Sequence, residues 1–533
     1  MKPKCLFIHL YTPEFENRCE NLGLGKLVYV LRENNLESTL LYRCVENFKD
    51  TESVCRLAKE ILEIDFDVLG IPIFSTNISY VDILFEKIKQ KKDFISITGG
   101  FLASVATKDV LDEMDYVDYV FCGMSEDLIV DFCMHIDQPE YLSNMKNIAY
   151  KLNNQIILNK RMFENKLQNL QKPADREYLK RKNIEVARLQ TARGCTAKCA
   201  FCTESEKWVG KSPQEIVDEI RQIIEVYGLN TFNIVDSSFE DPTPGFGKER
   251  IKELCHLIID NGLDIFFTIY IRAESFIEED RELLKLMKYA GLITAFVGVE
   301  SGNEETLRLF NKRASVDKNS ELIKLMEYLS INLEAGFIMF HPYTTFNQLK
   351  QNLQFFRNNR YIADNISSYT NALYVYPNTR IYRKLLEDRM LKDEYSIANS
   401  QAYDYIDEKV VLVKEIIMLI DVQELYQLWE YLQGLYNVIS KAEKHSFFEN
   451  IDLFRDNCNS IKNELINFNI YLFQETLNYV ENNIASRYAH ENLTRLIDEF
   501  DIASKFRSLD RFKFNFIKKN IKNVDLIIRK PKT

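Results

Sequence analysis

Short apolar runs rich in β-branched residues alternate with helix-length segments, and the alternation occurs twice along this chain. No other feature constrains the fold as strongly. A strand that leads into a helix must return to pair in parallel, and sheet and helices then share one core. In the first series the runs are Cys5 to Leu10, Ser38 to Tyr42, Phe66 to Ile73, Ile95 to Thr98 and Tyr119 to Cys122. They predict a doubly wound, Rossmann-like parallel sheet over residues 1–140. Ligands of such sheets bind beyond the carboxyl ends of the strands near the switch point. The residues at those ends are Ser75-Thr76-Asn77, Gly99-Gly100 and Gly123.

Residues 141–183 are polar and Lys-rich with Pro173, which predicts a connector with one small hairpin, Ala149 to Ile157. The second series follows over 184–405. Its strand candidates are Val186 to Thr191, Thr231 to Val235, Asp264 to Ile271, Ile293 to Gly298, Asn332 to Phe340 and Ser368 to Tyr376. Too few for an eight-fold barrel, they predict a partial (β/α)6 barrel with its active groups at the carboxyl ends of the strands. The first of its helices opens on Ser212-Pro213-Gln214-Glu215, a capping box with Pro in the first turn. Between Asn378 and Lys530 there is no proline and a single glycine, Gly434, so residues 406–533 read as an all-helical domain.

The composition suits soluble globular domains: 533 residues, 46 % hydrophobic and 28 % charged. With 68 basic and 79 acidic side chains the net charge is −11, which argues against a general nucleic-acid-binding surface. No apolar run approaches the roughly 20 residues that span a bilayer, and the expectation is a cytoplasmic protein with no membrane partner. In that compartment 11 cysteines read as core residues, metal ligands or catalytic groups rather than disulfides.

Their spacing narrows this further. Arg193-Gly194-Cys195-Thr196-Ala197-Lys198-Cys199-Ala200-Phe201-Cys202 places three thiols on one short loop. Three thiolates can hold three irons of a cubic 4Fe-4S cluster and leave the fourth open. A structural zinc ion needs a fourth ligand, and the nearest candidates, Cys255 and His256, lie inside a helical pattern without motif spacing.

The segment resembles the cluster loop of the radical S-adenosylmethionine (radical SAM) superfamily. The resemblance implies that Cys195, Cys199 and Cys202 hold a 4Fe-4S cluster whose open iron chelates the methionine end of S-adenosylmethionine. An electron from the cluster then releases a 5′-deoxyadenosyl radical. Phe201 matches the aromatic residue whose backbone approaches the adenine; its side chain reads equally well as a core Phe. The run Phe296-Val297-Gly298-Val299-Glu300-Ser301-Gly302, followed by Leu307 and Asn311-Lys312, is similar to the fourth-strand signature, which implies that Glu300 and Ser301 lie near the ribose and methionine groups. Arg272 and Asp236 match ligand-binding positions at the ends of the third and second strands, and each reads as readily as a salt bridge or a cap. At the fifth strand the family's Gly-rich turn with a Glu is replaced by Gly336-Phe337-Ile338-Met339-Phe340-His341-Pro342-Tyr343-Thr344. His341 is there a candidate acid or base, or a structural histidine.

The first domain resembles the cobalamin-binding domains that precede one subgroup of this superfamily. The matching text is Phe74-Ser75-Thr76-Asn77, Thr98-Gly99-Gly100-Phe101 and Gly123-Met124-Ser125-Glu126. By this resemblance Ser75, Thr76, Asn77, Gly99, Gly100, Phe101, Gly123 and Glu126 contact cobalamin, and glycines let a bulky nucleotide tail pass the backbone. None of the six histidines lies in an Asp-x-His-x-x-Gly motif, so no lower axial ligand is supplied in that way. The alternative is a domain that keeps the fold without the cofactor.

Three functions follow as expectations. The first is methyl transfer from methylcobalamin to an unactivated carbon or phosphorus of a biosynthetic small-molecule or peptide substrate, with electrons from an external donor such as flavodoxin or ferredoxin. The second is a radical rearrangement, cyclisation or epimerisation in which cobalamin does not methylate or is absent. The third is a cluster or cobalamin sensor, for which the Glu300-Ser301 signature has no use. Finally, Arg511 to Thr533 carries eight basic residues against Asp525, with Phe512, Phe514 and Phe516 interleaved. It reads as a solvated terminal element or as a dock for an acidic peptide or phosphate-bearing carrier.

Overall fold

A computed structural model of the chain describes residues 2–12, 20–153, 155–162, 166–181, 184–204, 207–240, 246–446 and 448–520. The chain divides into two compact units: Met1–Thr196 with Phe201–Lys211 and Val375–Ala402, and Ala197–Ala200 with Ser212–Tyr374 and Tyr403–Thr533.

The first unit opens with β1 (Cys5–Tyr11), α1 (Leu22–Glu33), β2 (Ser38–Cys44), α2 (Thr51–Leu62), β3 (Val68–Pro72), α3 (Ile78–Lys89) and β4 (Ile95–Gly99). It continues with α4 (Phe101–Val105), α5 (Thr107–Glu113), β5 (Tyr119–Phe121), α6 (Glu126–Met134), α7 (Pro139–Asn144), β6 (Ile148–Leu152) and β7 (Gln155–Leu158). The strand order is β2-β1-β3-β4-β5-β6-β7. β1 to β5 pair in parallel, and the expected hairpin, β6–β7, adds an antiparallel edge. Successive side chains of a strand point to opposite faces. Leu6, Ile8 and Leu10 of β1 therefore pack with Val81, Leu84 and Phe85 of α3, while Cys5 and Phe7 pack with Val28 and Leu31 of α1 and Phe132 of α6. Burial on both faces is why these strands read as continuous apolar runs rather than as alternation.

The same unit holds α8 (Leu167–Gln171), β8 (Ala187–Leu189), and the short antiparallel pair β9 (Ala192–Arg193) and β10 (Val209–Gly210). The second unit begins with α9 (Pro213–Tyr227), β11 (Thr231–Ile234), α10 (Phe246–Asp260), β12 (Phe266–Arg272), α11 (Arg281–Ala290) and β13 (Leu292–Glu300). After these come α12 (Glu304–Leu309), α13 (Val316–Tyr328), β14 (Asn332–Phe337), α14 (Phe346–Asn358) and α15 (Ser367–Thr370). β11 to β14 lie side by side in chain order, all parallel, as a partial barrel requires.

The sixth expected strand, Ser368 to Tyr376, is reduced to one parallel bridge between Phe340 and Ala372. Asn365 explains this locally: its side-chain oxygen accepts from the Ser367 amide at 2.9 Å, starting the helical turn of α15 where the strand was expected.

After α16 (Arg380–Glu387), which belongs to the first unit, the second unit ends in α17 (Glu408–Leu419), α18 (Gln423–Glu443), α19 (Ile451–Glu481), α20 (Ser486–Glu499) and α21 (Ile502–Lys519). Among the described residues no helix is long and apolar enough to cross a membrane. The aromatic residues of the basic tail separate in α21: Phe516 is buried against Phe454, ring centres 4.8 Å apart, whereas Phe514 is exposed. Residues 521–533 of that tail lie outside the described residues.

The capping box at α9 is formed as the sequence predicts. Ser212 Oγ accepts from the Glu215 amide at 3.3 Å and Glu215 accepts from the Ser212 amide at 2.8 Å, with Pro213 in the first turn. Ser212→Ala should therefore lower stability by about 1 kcal/mol, read as a shift of the urea midpoint at constant m-value.

Candidate functional site

The cysteine loop is closed at its base by β9 and β10, where Arg193 pairs with Val209 and Ala192 with Gly210. Gly194 takes φ +82°, which turns the chain out of β9. The Lys211 amide donates to the Thr191 carbonyl at 2.9 Å, and the Trp208 ring covers Gly210 so closely that a Cβ there would meet it at 2.3 Å. Cys195 and Cys199 are half-buried and Cys202 is exposed. Phe201 is half-buried, beside the third cysteine.

The central residues of the loop belong to the second unit, where the turn after α12 holds them. The Ala200 amide donates to the Phe310 carbonyl at 2.7 Å, and Asn311 Nδ2 donates to the Lys198 carbonyl at 2.5 Å. Lys312, the next residue, is buried, with Nζ 3.3 Å from Glu300 Oε1. Burial alone pushes its amine down; Glu300, Cys199 and Glu274 outweigh this, and the net direction is up. Lys312 therefore stays cationic beside Cys199. The sequence motif includes Asn311-Lys312 but assigns no role to either residue.

Glu300 ends β13 at φ +62°, a conformation that costs a non-glycine residue energy, and the register slips between Gly298 and Glu300. A Cβ on Gly298 would stand 2.6 Å from Glu300 Oε1 and 3.1 Å from Lys312 Nζ, so the missing side chain makes room for this ion pair.

Ser301 has no exposed surface; its hydroxyl lies 3.1 Å from Asn352 Oδ1 and accepts from the Asn303 amide. It braces the strand-to-helix turn. Asp236 is buried just past β11. Arg272 is held by its own chain: Nε donates to Glu240 Oε1 at 2.9 Å, and a terminal nitrogen stands 3.5 Å from Glu274. The other oxygens of Glu240 and Glu274 are buried without a hydrogen-bonding partner among the described residues. No spacing signal pointed to these two carboxylates.

In the first unit, Ser75 and Thr76 follow β3, Gly99 ends β4 with Gly100 next, and Gly123 follows β5, all at the carboxyl edge of the sheet. Gly100 takes φ +100°, and a Cβ there would find only Pro72 at 3.9 Å, so the space above it is open. Phe74 and Phe101 expose 46 % and 55 % of their surface on this edge, large values for aromatic residues. Asn77 is buried and makes a local turn, accepting from the Phe74 amide at 2.7 Å. Glu126 is also buried, paired with Arg193 at the entry to the cysteine loop. Asn77 and Glu126 thus build the edge rather than project from it.

Two observations test the fit of a 4Fe-4S cluster. Thr196 and Thr203, each following a cysteine, carry buried hydroxyls without a partner among the described residues, and a sulfide-rich anion is an acceptor for such donors. Cys255, one of the zinc candidates, is buried in α10, and burial pushes its thiol up to about 12, away from the thiolate that zinc binds. Among the described residues no three His, Cys, Asp or Glu side chains converge to hold a single metal ion. A cubic cluster does not ask for that convergence, because each thiolate takes a different iron.

Residues 189–356 match the Radical SAM superfamily, and the chain carries a radical SAM domain. The anaerobic magnesium-protoporphyrin IX monomethyl ester cyclase of Cereibacter sphaeroides is 25 % identical over 315 residues, 56 % of this chain and 50 % of the cyclase. The cytidylyl-2-hydroxyethylphosphonate methyltransferase of Streptomyces wedmorensis is 30 % identical over 162 residues, 30 % of this chain and 29 % of that enzyme. The chain thus spans half or less of the length of these curated relatives. Among solved structures, the cobalamin-dependent S-adenosylmethionine radical enzyme OxsB, with aqua-cobalamin and S-adenosylmethionine bound, is similar with a TM-score of 0.69. It is 17 % identical and the match covers 98 % of this chain and 84 % of OxsB, so the likeness is one of fold.

His341, a candidate acid or base, is fully enclosed: Nε2 lies 3.2 Å from Thr306 Oγ1 and the Phe310 ring crosses it at 5.1 Å. Burial pushes its imidazole down to about 3. Between the ordinary value of 6.5 and about 3, the unfolded chain takes up a proton that the folded chain refuses, so stability falls as the pH drops through that window. His341→Asn should flatten this limb, a difference of about 1.4 kcal/mol per pH unit at most, measured as wild-type minus variant unfolding free energy from pH 6.5 to 4.

Proposed function

We propose that this chain is a radical SAM enzyme of the cobalamin-dependent kind, in which Cys195, Cys199 and Cys202 hold a 4Fe-4S cluster. We further propose that it transfers a methyl group to an unactivated carbon or phosphorus of a biosynthetic substrate. The observation that carries the reading is the three-cysteine loop, pinned at its base by β9–β10 and at its centre by the Phe310-Asn311-Lys312 turn. When bound, the cluster supplies the electron that cleaves S-adenosylmethionine to a 5′-deoxyadenosyl radical, and methylcobalamin supplies the methyl group.

The protein's own groups hold and orient. Lys312 offsets thiolate charge at Cys199 and fixes the Glu300 carboxylate, which can accept hydrogen bonds from ribose hydroxyls. Glu240 and Glu274 keep Arg272 in place, and their remaining oxygens would accept from donors on the nucleotide. In the first unit the glycines at the ends of β4 and β5 and the open surface around Phe74 and Phe101 suit a bulky nucleotide-bearing cofactor. In this reading residues 1–140 serve cobalamin and 184–405 the cluster, nucleotide and substrate. Electrons come from an external donor such as flavodoxin or ferredoxin.

A second reading, radical cyclisation or rearrangement without methyl transfer, is favoured by one fact: a cyclase stands among the relatives, matching 56 % of the chain. Gly100→Val separates the two. The variant should retain the cluster and cleave S-adenosylmethionine in both cases; only a methyltransferase loses its product with the corrinoid. A wild-type chain that takes up no corrinoid on anaerobic reconstitution sinks the methyl-transfer reading.

Two further outcomes test the site itself. Cys199→Ala should remove most iron and all 5′-deoxyadenosine formation, and a variant with a full cluster spectrum would refute the ligand assignment. Glu300→Gln should keep the cluster spectrum and weaken S-adenosylmethionine binding by about 1.5–3 kcal/mol in a titration.

A further inference from the structure

The inner face of the second unit's sheet is arranged in rows. Residues in register across β12, β13 and β14 are Thr268, Thr294 and Asn332, then Tyr270, Phe296 and Glu334, then Arg272, Gly298 and Gly336. Alternation puts all nine on one face, opposite the apolar residues Ile269, Ala295, Val297 and Leu333, which are buried.

The lowest row is closed by α18. Thr294 Oγ1 lies 2.9 Å from Asn437 Oδ1, and Asn332 Nδ2 donates to Gln433 Oε1 at 2.7 Å. At helical spacing the next residues along that side of α18 are Glu430 and Tyr426. The middle row is the first one open to a ligand. Tyr270 and Phe296 are 37 % and 36 % exposed, with ring centres 5.2 Å apart, and Phe296 lies over Gly336, where a Cβ would meet the ring at 3.2 Å.

We propose that this row is the substrate subsite and that it takes a planar ring bearing a protonated amine, the ring stacking on Tyr270 and Phe296 and the ammonium pairing with Glu334. The proposal rests on the reading of the second unit as the seat of radical chemistry, and gives its substrate a class. Register and exposure carry it: Glu334 stands opposite Phe296 across β13 and β14, in the row of the two exposed rings. The carboxylates of Asp364 and Glu430 both bear on Glu334, and Lys462 lies 3.4 Å from Asp364. Burial and these two carboxylates push the Glu334 carboxyl up to about 7, and a bound cation supplies the charge the position lacks. Aromatic faces attract cations as well, so the two halves of the row favour the same ligand.

Tryptamine, indole and indole-3-acetate form a graded probe set of cationic, neutral and anionic ligands on one ring. Binding is measured by calorimetry on the full chain after anaerobic reconstitution. Wild type should bind tryptamine at least tenfold tighter than indole and should bind indole-3-acetate more weakly than either. Glu334→Gln, nearly isosteric, should lose at least tenfold for tryptamine and leave indole unchanged; Phe296→Leu should weaken both, with thermal unfolding confirming a folded chain. Equal binding of the three probes by wild type, or undiminished tryptamine binding by Glu334→Gln, overturns the proposal. Failure of the wider reading looks different: wild type would bind no cluster or would not cleave S-adenosylmethionine, whatever the probe series shows.

Discussion

The second unit depends on the fact that a parallel sheet has two faces and must account for both. Helices cover the apolar face, so every second residue of β12, β13 and β14 can be hydrophobic. The other face follows a different rule because it is covered only in part. Where α18 crosses it, the residues are hydrogen-bonding pairs, Thr294 with Asn437 and Asn332 with Gln433. Such pairs are needed because a buried polar group without a partner costs about 1–3 kcal/mol. Beyond α18 the face opens, and it carries aromatic and charged groups up to Glu300. The candidate positions are therefore those where the sheet lacks a second layer.

The same physics decides what could be read without coordinates. Periodicity of 2 and 3.6 marks elements whose sides differ, and it found the doubly wound sheet, the parallel strands β11 to β14 and the helical end. It failed at Ser368 to Tyr376, where an apolar run resembled a strand. The Asn365 side chain starts a helical turn there, and a single side-chain hydrogen bond leaves no periodic trace. The capping box at Ser212 was legible for the opposite reason: both partners lie within four residues of each other.

Site residues divide along similar lines. The cysteine loop is local, and its spacing alone suggested its chemistry. Ser301, Arg272 and Glu126 are defined by partners 51, 32 and 67 residues away, and no local pattern reveals whether such a side chain faces a ligand or the interior. Within the chain Ser301 meets Asn352, Arg272 meets Glu240 and Glu274, and Glu126 meets Arg193. Lys312 was overlooked because a lysine twelve residues beyond Glu300 looks like surface until the turn after α12 brings it back to Glu300.

The buried ion pairs then take on a definite meaning. Replacing such a pair by apolar groups is often neutral or stabilising, whereas removing one partner leaves a buried charge exposed to its full desolvation cost. Arg193–Glu126 and Lys312–Glu300 are thus poor sources of stability. Both adjoin the cysteine loop: Arg193 leads into it through Gly194, and Lys312 follows the residue that holds the Lys198 carbonyl. An apolar pair would fill the same space without fixing direction, because dispersion contacts tolerate rotation. A charged pair with hydrogen-bonding geometry does not, and a loop that must present three thiols in one arrangement needs that constraint more than it needs stability.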